Sequence, residues 1–128
     1  SGILAIAAAR LGAHRVYAVD NDPQALLATR DNAARNGVDT VIQACLPEAL
    51  DATLAGVQAD VLLANILAGP LIALAPRLAA LTRRGATIAL SGILNEQATT
   101  VAAAYATDFT ASAPISREGW TRLEGHRK

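Results

Sequence analysis

Residues 15–23 read Arg-Val-Tyr-Ala-Val-Asp-Asn-Asp-Pro, and this stretch decides the fold class. Its first six residues are partly β-branched and end in the acid Asp20, a pattern typical of a buried strand. Asp22 followed by Pro23 is typical of a helix N-cap with proline at the first helical position. We therefore predict a strand that ends at Asp20 and a helix over 23–35, stopped by an Asn-Gly pair.

The segments on either side of this stretch alternate between helix and strand patterns. Apolar residues at helical spacing predict helices, and short apolar runs ended by polar residues predict strands. In chain order we predict a buried helix over 3–11, a strand over 40–44, a loop with one helical turn over 46–58 and a strand over 60–65. After these we predict a helix opened by Gly69-Pro70 and ended by Arg84-Gly85, a strand over 86–91, a helix over 95–105, and a hairpin of 109–115 with 120–125. Pro76 is expected to kink or divide the helix that contains it.

This alternation predicts an α/β fold that forms one domain over residues 1–128. Strands that alternate with helices form a mostly parallel sheet with helices on both faces. The C-terminal hairpin would add antiparallel pairing to that sheet.

The beginning of the chain lacks an expected strand. Ser1-Gly2 leads directly into a helix, whereas in a doubly wound fold such a turn follows the first, central strand. Gly2 and Asp20 are 18 positions apart, close to the roughly 20 expected between a glycine loop and a ribose-binding acid. We therefore expect the first strand to be missing and the domain to be truncated at its N-terminal edge. The alternative is a fold that begins with a helix.

The composition narrows the possible classes of protein. Hydrophobic residues make up 52% of the chain and aromatic residues 3%, so an aliphatic core is expected. The formal net charge is zero, which gives direct nucleic-acid binding little electrostatic support. The single cysteine, Cys45, excludes an internal disulfide and is expected to be buried. No apolar run reaches the length of a membrane span and no signal peptide is recognisable, so we expect a cytoplasmic protein.

Asp20 is the first candidate for a binding residue. An acid at the carboxyl end of such a strand can accept hydrogen bonds from the ribose hydroxyls of a nucleoside. NAD and S-adenosylmethionine sites both use this device, so the residue alone does not distinguish them. The alternative, a solvated or capping acid, is weaker because Asp22 suits the capping role better.

Ser1, Gly2 and Asn65 are the other candidates. Ser1 and Gly2 would lie at the N-terminus of the first helix, close to the cofactor, or would simply begin that helix. Asn65 ends a predicted strand and would project into the crevice where open α/β sheets bind ligands. Its amide could contact the cofactor and orient an incoming amine; the alternative is that it caps the following helix. Residues 46–48 could line an adenine pocket or form a surface loop.

Several stretches resemble one family of enzymes. Residues 1–8 (Ser-Gly-Ile-Leu-Ala-Ile-Ala-Ala) resemble the end of motif I of class I methyltransferases, and residues 19–25 resemble their second motif. Residues 64–71 (Ala-Asn-Ile-Leu-Ala-Gly-Pro-Leu), 90–94 and 118–120 are similar to the PrmA family, the ribosomal protein L11 methyltransferases. The Asn-Ile-Leu-Ala sequence differs from the Asn/Asp-Pro-Pro-Tyr/Phe motif of adenine and glutamine methylases.

The resemblance implies a Rossmann-like class I methyltransferase fold and S-adenosylmethionine as methyl donor. It implies a large-subunit ribosomal protein as substrate, methylated on lysine side chains and on the N-terminal amine. Asp20 matches the ribose-binding acid of the family and Asn65 its active-site Asn. No residue cluster has metal-ligand spacing, and no metal is expected. Two alternatives stay open: an NAD-dependent Rossmann oxidoreductase, and a methyltransferase fragment that is inactive alone.

Overall fold

The structure is a computed structural model that describes residues 1–128. These residues divide into two compact units, an N-terminal unit, Ser1–Gly56, and a C-terminal unit, Val57–Lys128. The single domain expected over the chain stays a prediction.

The N-terminal unit is a parallel pair of strands with helices. Strand β1 lies beside β2 in parallel, with Val16 opposite Ile42 and Val19 opposite Cys45. A parallel pair needs a crossover connection, and helix α2 supplies it. The elements of the unit are α1 (Ile3–Arg10), β1 (Val16–Val19), α2 (Pro23–Arg35), β2 (Ile42–Cys45), a 3₁₀ turn (Pro47–Ala49) and α3 (Leu50–Leu54).

Helix α2 forms where the sequence predicts it. The Asp22 carboxylate accepts a hydrogen bond from the Gln24 N–H at 2.9 Å, which satisfies one free donor of the first turn. Leu26, Thr29 and Ala33, three and four positions apart, form its buried face. The N-cap and both ends of this helix are confirmed.

Helix α1 differs from the prediction. It covers Ile3–Arg10, as expected to within one residue, but it contains no buried residue. Ile3 is 72% exposed and Leu4 45% exposed. An all-apolar sequence predicts burial only if other elements cover the helix on every side. Here α1 packs on β1, β2 and α2, and its remaining surface faces outward.

The C-terminal unit contains a five-stranded mixed sheet and two helices. Its elements are β3 (Ala59–Asn65), α4 (Ala68–Leu81), β4 (Thr82–Leu94), a 3₁₀ turn (Asn95–Gln97), α5 (Ala98–Tyr105), β5 (Phe109–Ala111), β6 (Ile115–Arg117) and β7 (Trp120–Arg127). The strand order is β3-β4-β7-β5, and β6 also pairs with β7. Strands β3 and β4 are parallel, and every antiparallel pair involves β7. The predicted α/β class with antiparallel C-terminal strands is confirmed.

The core of the C-terminal unit lies between the sheet and helices α4 and α5. Leu71, Ile93 and Val101 are fully buried there. The Tyr105 hydroxyl donates to the carbonyl oxygen of Leu71 at 2.7 Å and so joins the two helices. The rings of Tyr105 and Phe109 are in contact, with centroids 5.9 Å apart.

Several features of this unit differ from the prediction. Helix α4 ends at Leu81 and β4 begins at Thr82, because Thr82 pairs with Ala59 and the Arg83 guanidinium binds the Asp60 carboxylate at 2.6 Å. Pro76 lies inside α4 without dividing it. The predicted strand over 109–115 is two short strands, β5 and β6, which pair with different parts of β7.

Candidate functional site

Asp20 directly follows β1, as predicted. Its backbone N–H donates to the Cys45 carbonyl oxygen at 3.3 Å, which continues the ladder between the two strands. Its Oδ1 accepts from the Asp22 N–H at 3.0 Å, so the carboxylate is held by the turn that leads into α2. An ionised carboxylate offers about four acceptor positions, and this bond uses one of them. The group can therefore accept hydrogen bonds from neighbouring hydroxyls.

Ser1 and Gly2 form the N-terminus of α1. Gly2 is the N-cap, with a positive φ of 75°, and a Cβ at this position would lie 2.7 Å from Cγ2 of Thr29 in α2. The Ser1 carbonyl oxygen accepts from Nδ2 of Asn32 at 2.9 Å. Only glycine meets both the backbone and the space requirement at position 2. This helix start is therefore fixed tightly against α2.

Asn65 ends β3 and pairs with Ser91 of β4. It does not cap the following helix, because the N-cap of α4 is Leu67 and has no side-chain hydrogen bond. Gly92 approaches Asn65 closely: a Cβ on Gly92 would lie 2.9 Å from Oδ1 of Asn65 and 2.7 Å from the carbonyl oxygen of Ile66. Two hydrogen-bond acceptors thus lie against the Gly92 backbone at the end of β3.

A cleft of about 500 Å³ opens beside these acceptors. It forms where the β4–β7 pairing is interrupted, between Leu90 and Ile93. Gly92, inside this interruption, has a positive φ of 83°. The residues that line the cleft come from the end of β3, from the interrupted part of β4 and from the hairpin of β6 and β7: Asn65, Ser91, Gly92, Ile115, Arg117, Trp120, Thr121 and Arg122.

The hairpin residues of this cleft were not predicted as site residues. Ile115, Arg117, Trp120 and Arg122 are exposed, and we call them the cleft wall. Trp120 is 50% exposed, so its ring is accessible from the cleft that it lines. The sequence contained one usable signal, a single Trp directly after a Glu-Gly turn. Nothing in it indicated that this turn lies near Asn65.

The loop after β2, residues 46–48, lines a cavity only in part. Leu46 lines a second cavity, of about 420 Å³, together with residues of α2 and β2. Glu48 lies in the 3₁₀ turn and is exposed outside the lining of that cavity. Cys45 also lines the cavity and is 7% exposed, so its predicted burial is confirmed.

The predicted site residues are divided between the two units. Ser1, Gly2 and Asp20 belong to the N-terminal unit, and Asn65 belongs to the C-terminal unit. No group of three His, Cys, Asp or Glu side chains in the structure could hold a metal ion. None of its helices has both the length and the apolar character needed to cross a bilayer.

Comparison with known proteins places the chain in a family. The model of the family described as Ribosomal protein L11 methyltransferase (PrmA) matches residues 1–128. The ribosomal protein L11 methyltransferase of Pseudomonas aeruginosa strain LESB58 is 56% identical over 128 residues, all of this chain and 42% of that protein. The corresponding protein of Pseudomonas putida strain GB-1 is 55% identical and is covered to 43%. The chain thus spans less than half the length of these relatives.

Solved structures agree in fold. The ribosomal protein L11 methylase of Lactobacillus delbrueckii subsp. bulgaricus superimposes with a TM-score of 0.84 at 33% identity, covering 99% of this chain and 65% of that one. An RNA methyltransferase of Salinibacter ruber, in complex with S-adenosyl-L-homocysteine, gives a TM-score of 0.73 at 19% identity, with 99% and 75% covered. The second likeness shows the fold alone, and both confirm the Rossmann-like methyltransferase fold. With its family model matched from the first residue to the last, this chain belongs to the ribosomal protein L11 methyltransferase (PrmA) family.

Proposed function

We propose that the chain is the catalytic part of an S-adenosylmethionine-dependent methyltransferase that acts on ribosomal protein L11. The observation that carries this proposal is the family match over all 128 residues, with relatives of that name at 56% identity. A ribosomal substrate would place the activity in the cytoplasm. The zero net charge favours a protein acceptor over direct nucleic-acid binding.

The N-terminal unit fits the adenosine end of the proposed cofactor. The Asp20 carboxylate is held by the Asp22 N–H through one oxygen, which leaves acceptor positions for two ribose hydroxyls. The Gly2 turn supplies a helix N-terminus at which Ser1 and Gly2 offer backbone groups. When bound, S-adenosylmethionine supplies an electrophilic methyl group on a sulfonium sulfur. These residues would bind and orient it.

The C-terminal unit fits an amine acceptor. Oδ1 of Asn65 and the carbonyl oxygen of Ile66 both lie against the Gly92 backbone, and Asn65 lines the cleft. Two neighbouring acceptors could take two N–H bonds of one amine and so fix the direction of its lone pair. We propose this role for Asn65, with an additional contact to the cofactor. The acceptors would be the lysine side chains and the N-terminal amine of L11.

The amine must be neutral to react, because a protonated amine has no lone pair. The unperturbed pKa of lysine is about 10.4 and that of an N-terminal amine about 7.7–8.0. Apolar surroundings disfavour the charged form and lower the pKa of an amine. Ile115 and Trp120 would give the cleft this character. We assign no general base, and positioning by Asn65 and Ile66 would be the main contribution of the protein.

Calorimetric titration of the chain tests the cofactor role of Asp20. We expect S-adenosylmethionine to bind and NAD not to bind. Asp20→Asn keeps one oxygen for the Asp22 N–H but loses the charge, and it should weaken binding about 10- to 100-fold. Asp39→Asn, the same change at an exposed position of the same unit, should leave the affinity unchanged. Binding of NAD alone, or equal effects of the two variants, would contradict the proposal.

Methyl transfer tests the role of Asn65. The assay uses the chain and also a chimera in which these 128 residues replace the matching segment of the Pseudomonas aeruginosa relative. L11 is the acceptor, and mass spectrometry locates the methyl groups. Asn65→Ala should reduce turnover by about 100-fold and should weaken cofactor binding by less than that, because the residues proposed for the adenosine end of the cofactor are unchanged. Wild-type turnover in Asn65→Ala would remove this role, and an inactive chimera would overturn the proposed activity.

A further inference from the structure

A small hydrogen-bond network lies beside the cleft wall. The Thr121 hydroxyl donates to Oδ1 of Asn95 at 2.6 Å, and its oxygen is 3.3 Å from the Ser116 hydroxyl. Thr121 is only 3% exposed. The network thus joins β6, β7 and the turn that follows β4 at a buried point.

This network and the cleft wall belong to the same hairpin, and Thr121 itself is one of the residues that line the cleft. Along β7, Thr121 and Leu123 are buried, whereas Trp120 and Arg122 are exposed. On β6, Ser116 lies opposite Thr121 in register, between two residues of the cleft wall. Thr121 lies between Trp120 and Arg122 on β7, so a bond that holds Thr121 in place also restrains its two neighbours in the cleft wall.

The network also connects the hairpin to Asn65. A second bond, from the Asn95 N–H to the Gly119 carbonyl oxygen at 3.0 Å, ties the hairpin turn to the end of β4. Asn95 follows Gly92 by three residues, and Gly92 is in close contact with Asn65 and Ile66. The two sides of the cleft are therefore linked by one continuous set of contacts.

The position of strand β6 in this hairpin depends more on hydrogen bonds than on apolar burial. Strand β6 has three residues, all exposed, so it contributes little apolar burial of its own. Thr121 is the buried residue that β6 contacts through its side chain. Loss of the Thr121 hydroxyl would leave β7 paired with β4 and the bond from Asn95 to Gly119 in place, but it would remove the side-chain link among β6, β7 and Asn95.

We infer that Thr121 is a positioning residue for the acceptor substrate: through Asn95 and Ser116 it holds the cleft wall at the distance from Asn65 that the substrate protein needs. The inference rests on the proposed function, because it assigns the cleft to the acceptor. It predicts that the KM for L11 depends on the Thr121 hydroxyl, whereas the KM for S-adenosylmethionine does not.

Matched threonine variants provide the test. Thr121→Val removes the hydroxyl at nearly constant volume, and Thr121→Ser keeps it. Thr82→Val is the control, since Thr82 is 1% exposed and its hydroxyl donates to the Leu78 carbonyl oxygen at 2.8 Å, at the opposite end of β4. Asn95→Ala removes the same hydrogen bond from the acceptor side. Because Asn95 is exposed, this variant tests the network even if Thr121→Val does not fold.

Two readouts are combined. Kinetics of the chimera give separate KM values for L11 and for S-adenosylmethionine. Trp120 is the only tryptophan of the chain, so its emission and its quenching by iodide in the 128-residue chain report the cleft wall alone. Thr121→Val and Asn95→Ala should raise the KM for L11 about tenfold and increase the iodide quenching, with the cofactor KM unchanged. Thr121→Ser and Thr82→Val should resemble the wild type in both readouts.

The outcomes separate this inference from the proposed function. Unchanged Trp120 quenching in Thr121→Val, or an equal rise in both KM values, would overturn the positioning role alone. A wild-type chimera that transfers no methyl group would overturn the proposed function and the acceptor assignment together. In that case the quenching data still decide whether the network holds the cleft wall.

Discussion

Gly92 combines two requirements that only glycine meets. Its φ is 83°, in the left-handed region that residues with a Cβ rarely adopt. A Cβ there would also lie 2.7 Å from a backbone oxygen, which cannot move aside as a flexible side chain can. The absence of a side chain at this one position thus permits the Asn65 and Ile66 oxygens to pack against the backbone of β4.

Gly92→Ala should therefore damage stability and activity together. Backbone strain of this kind costs about 1–3 kcal/mol, and displacement of Asn65 should lower methyl transfer about 100-fold. The matched control is Gly69→Ala: Gly69 has no neighbour near its missing Cβ and no positive φ, and it lies in the first turn of α4. The control should stabilise the chain by about 0.5–1 kcal/mol. Urea unfolding and methyl-transfer assays compare the two, and similar results for both would contradict the role of Gly92.

Single residues differ in how far the sequence could predict them. Asp20 could be predicted because its position depends only on the strand and the cap beside it. The role of Gly92 could not, because the constraint comes from Asn65 and Ile66, which are distant in the chain and adjacent only through the β3–β4 register. A sequence pattern describes residues that are neighbours in the chain, whereas the close approach of two strands depends on their register.

Among the elements, α4 and α5 are joined by one buried polar contact. The Tyr105 hydroxyl donates to the Leu71 carbonyl oxygen, and the tyrosine is 6% exposed. Burial raises the pKa of Tyr105 from 10.0 to about 12, because the charged phenolate would be poorly solvated there. The neutral, hydrogen-bonded form is thus part of the packing between these helices.

Tyr105→Phe should lower the free energy of unfolding by about 1 kcal/mol, since the ring packing stays and one hydrogen bond is lost. Tyr17→Phe serves as control, because Tyr17 is half-buried on β1 and is the only other tyrosine. Denaturant titration at neutral pH measures both. A loss in Tyr17→Phe equal to that in Tyr105→Phe would show that the Leu71 bond is not the cause.

The raised pKa of Tyr105 predicts how the free energy of unfolding changes at alkaline pH. Below pH 10 Tyr105 is protonated in both states and contributes no dependence. Between pH 10 and about 12 the unfolded chain loses this proton while the folded chain keeps it. Stability should therefore fall as pH rises through this interval, by up to about 1.4 kcal/mol per pH unit. The slope should be smaller in Tyr105→Phe, and an unchanged slope would assign the pH dependence to other groups.

Elements were predictable to the extent that their own residues determine them. The ends of α2 follow from Asp22-Pro23 and Asn36-Gly37, and the structure agrees. The start of β4 was missed because pairing with Ala59 extends the strand through Arg83-Arg84-Gly85, a stretch that resembles a helix end. The exposure of α1 was missed because composition describes a helix and not what covers it.

At the scale of the whole molecule, apolar surface and charge act together. Fourteen large hydrophobic side chains are exposed, and the formal net charge is zero. In their sheets, β1 pairs only with β2, and β3 pairs only with β4. Strands with an unpaired edge and apolar side chains tend to associate with other chains, and a neutral surface does not oppose this. The zero net charge and the aliphatic composition follow directly from the sequence, whereas the choice of which apolar residues are exposed depends on the packing.

We therefore expect the isolated chain to associate with itself as its concentration rises, most strongly near its isoelectric point of about 6.7. Val61 is 58% exposed on β3, so Val61→Lys should reduce association by placing a charge on that strand without disturbing the core. Thr99→Lys adds the same charge to the exposed surface of α5 and separates a local effect from a change in net charge. Light scattering across a concentration series measures the association of the three chains.

If Thr99→Lys reduces association as much as Val61→Lys, the net charge is responsible and the edge of β3 is not the contact. If the wild-type chain is monomeric at every concentration, neither apolar exposure nor the open edge is sufficient to drive association.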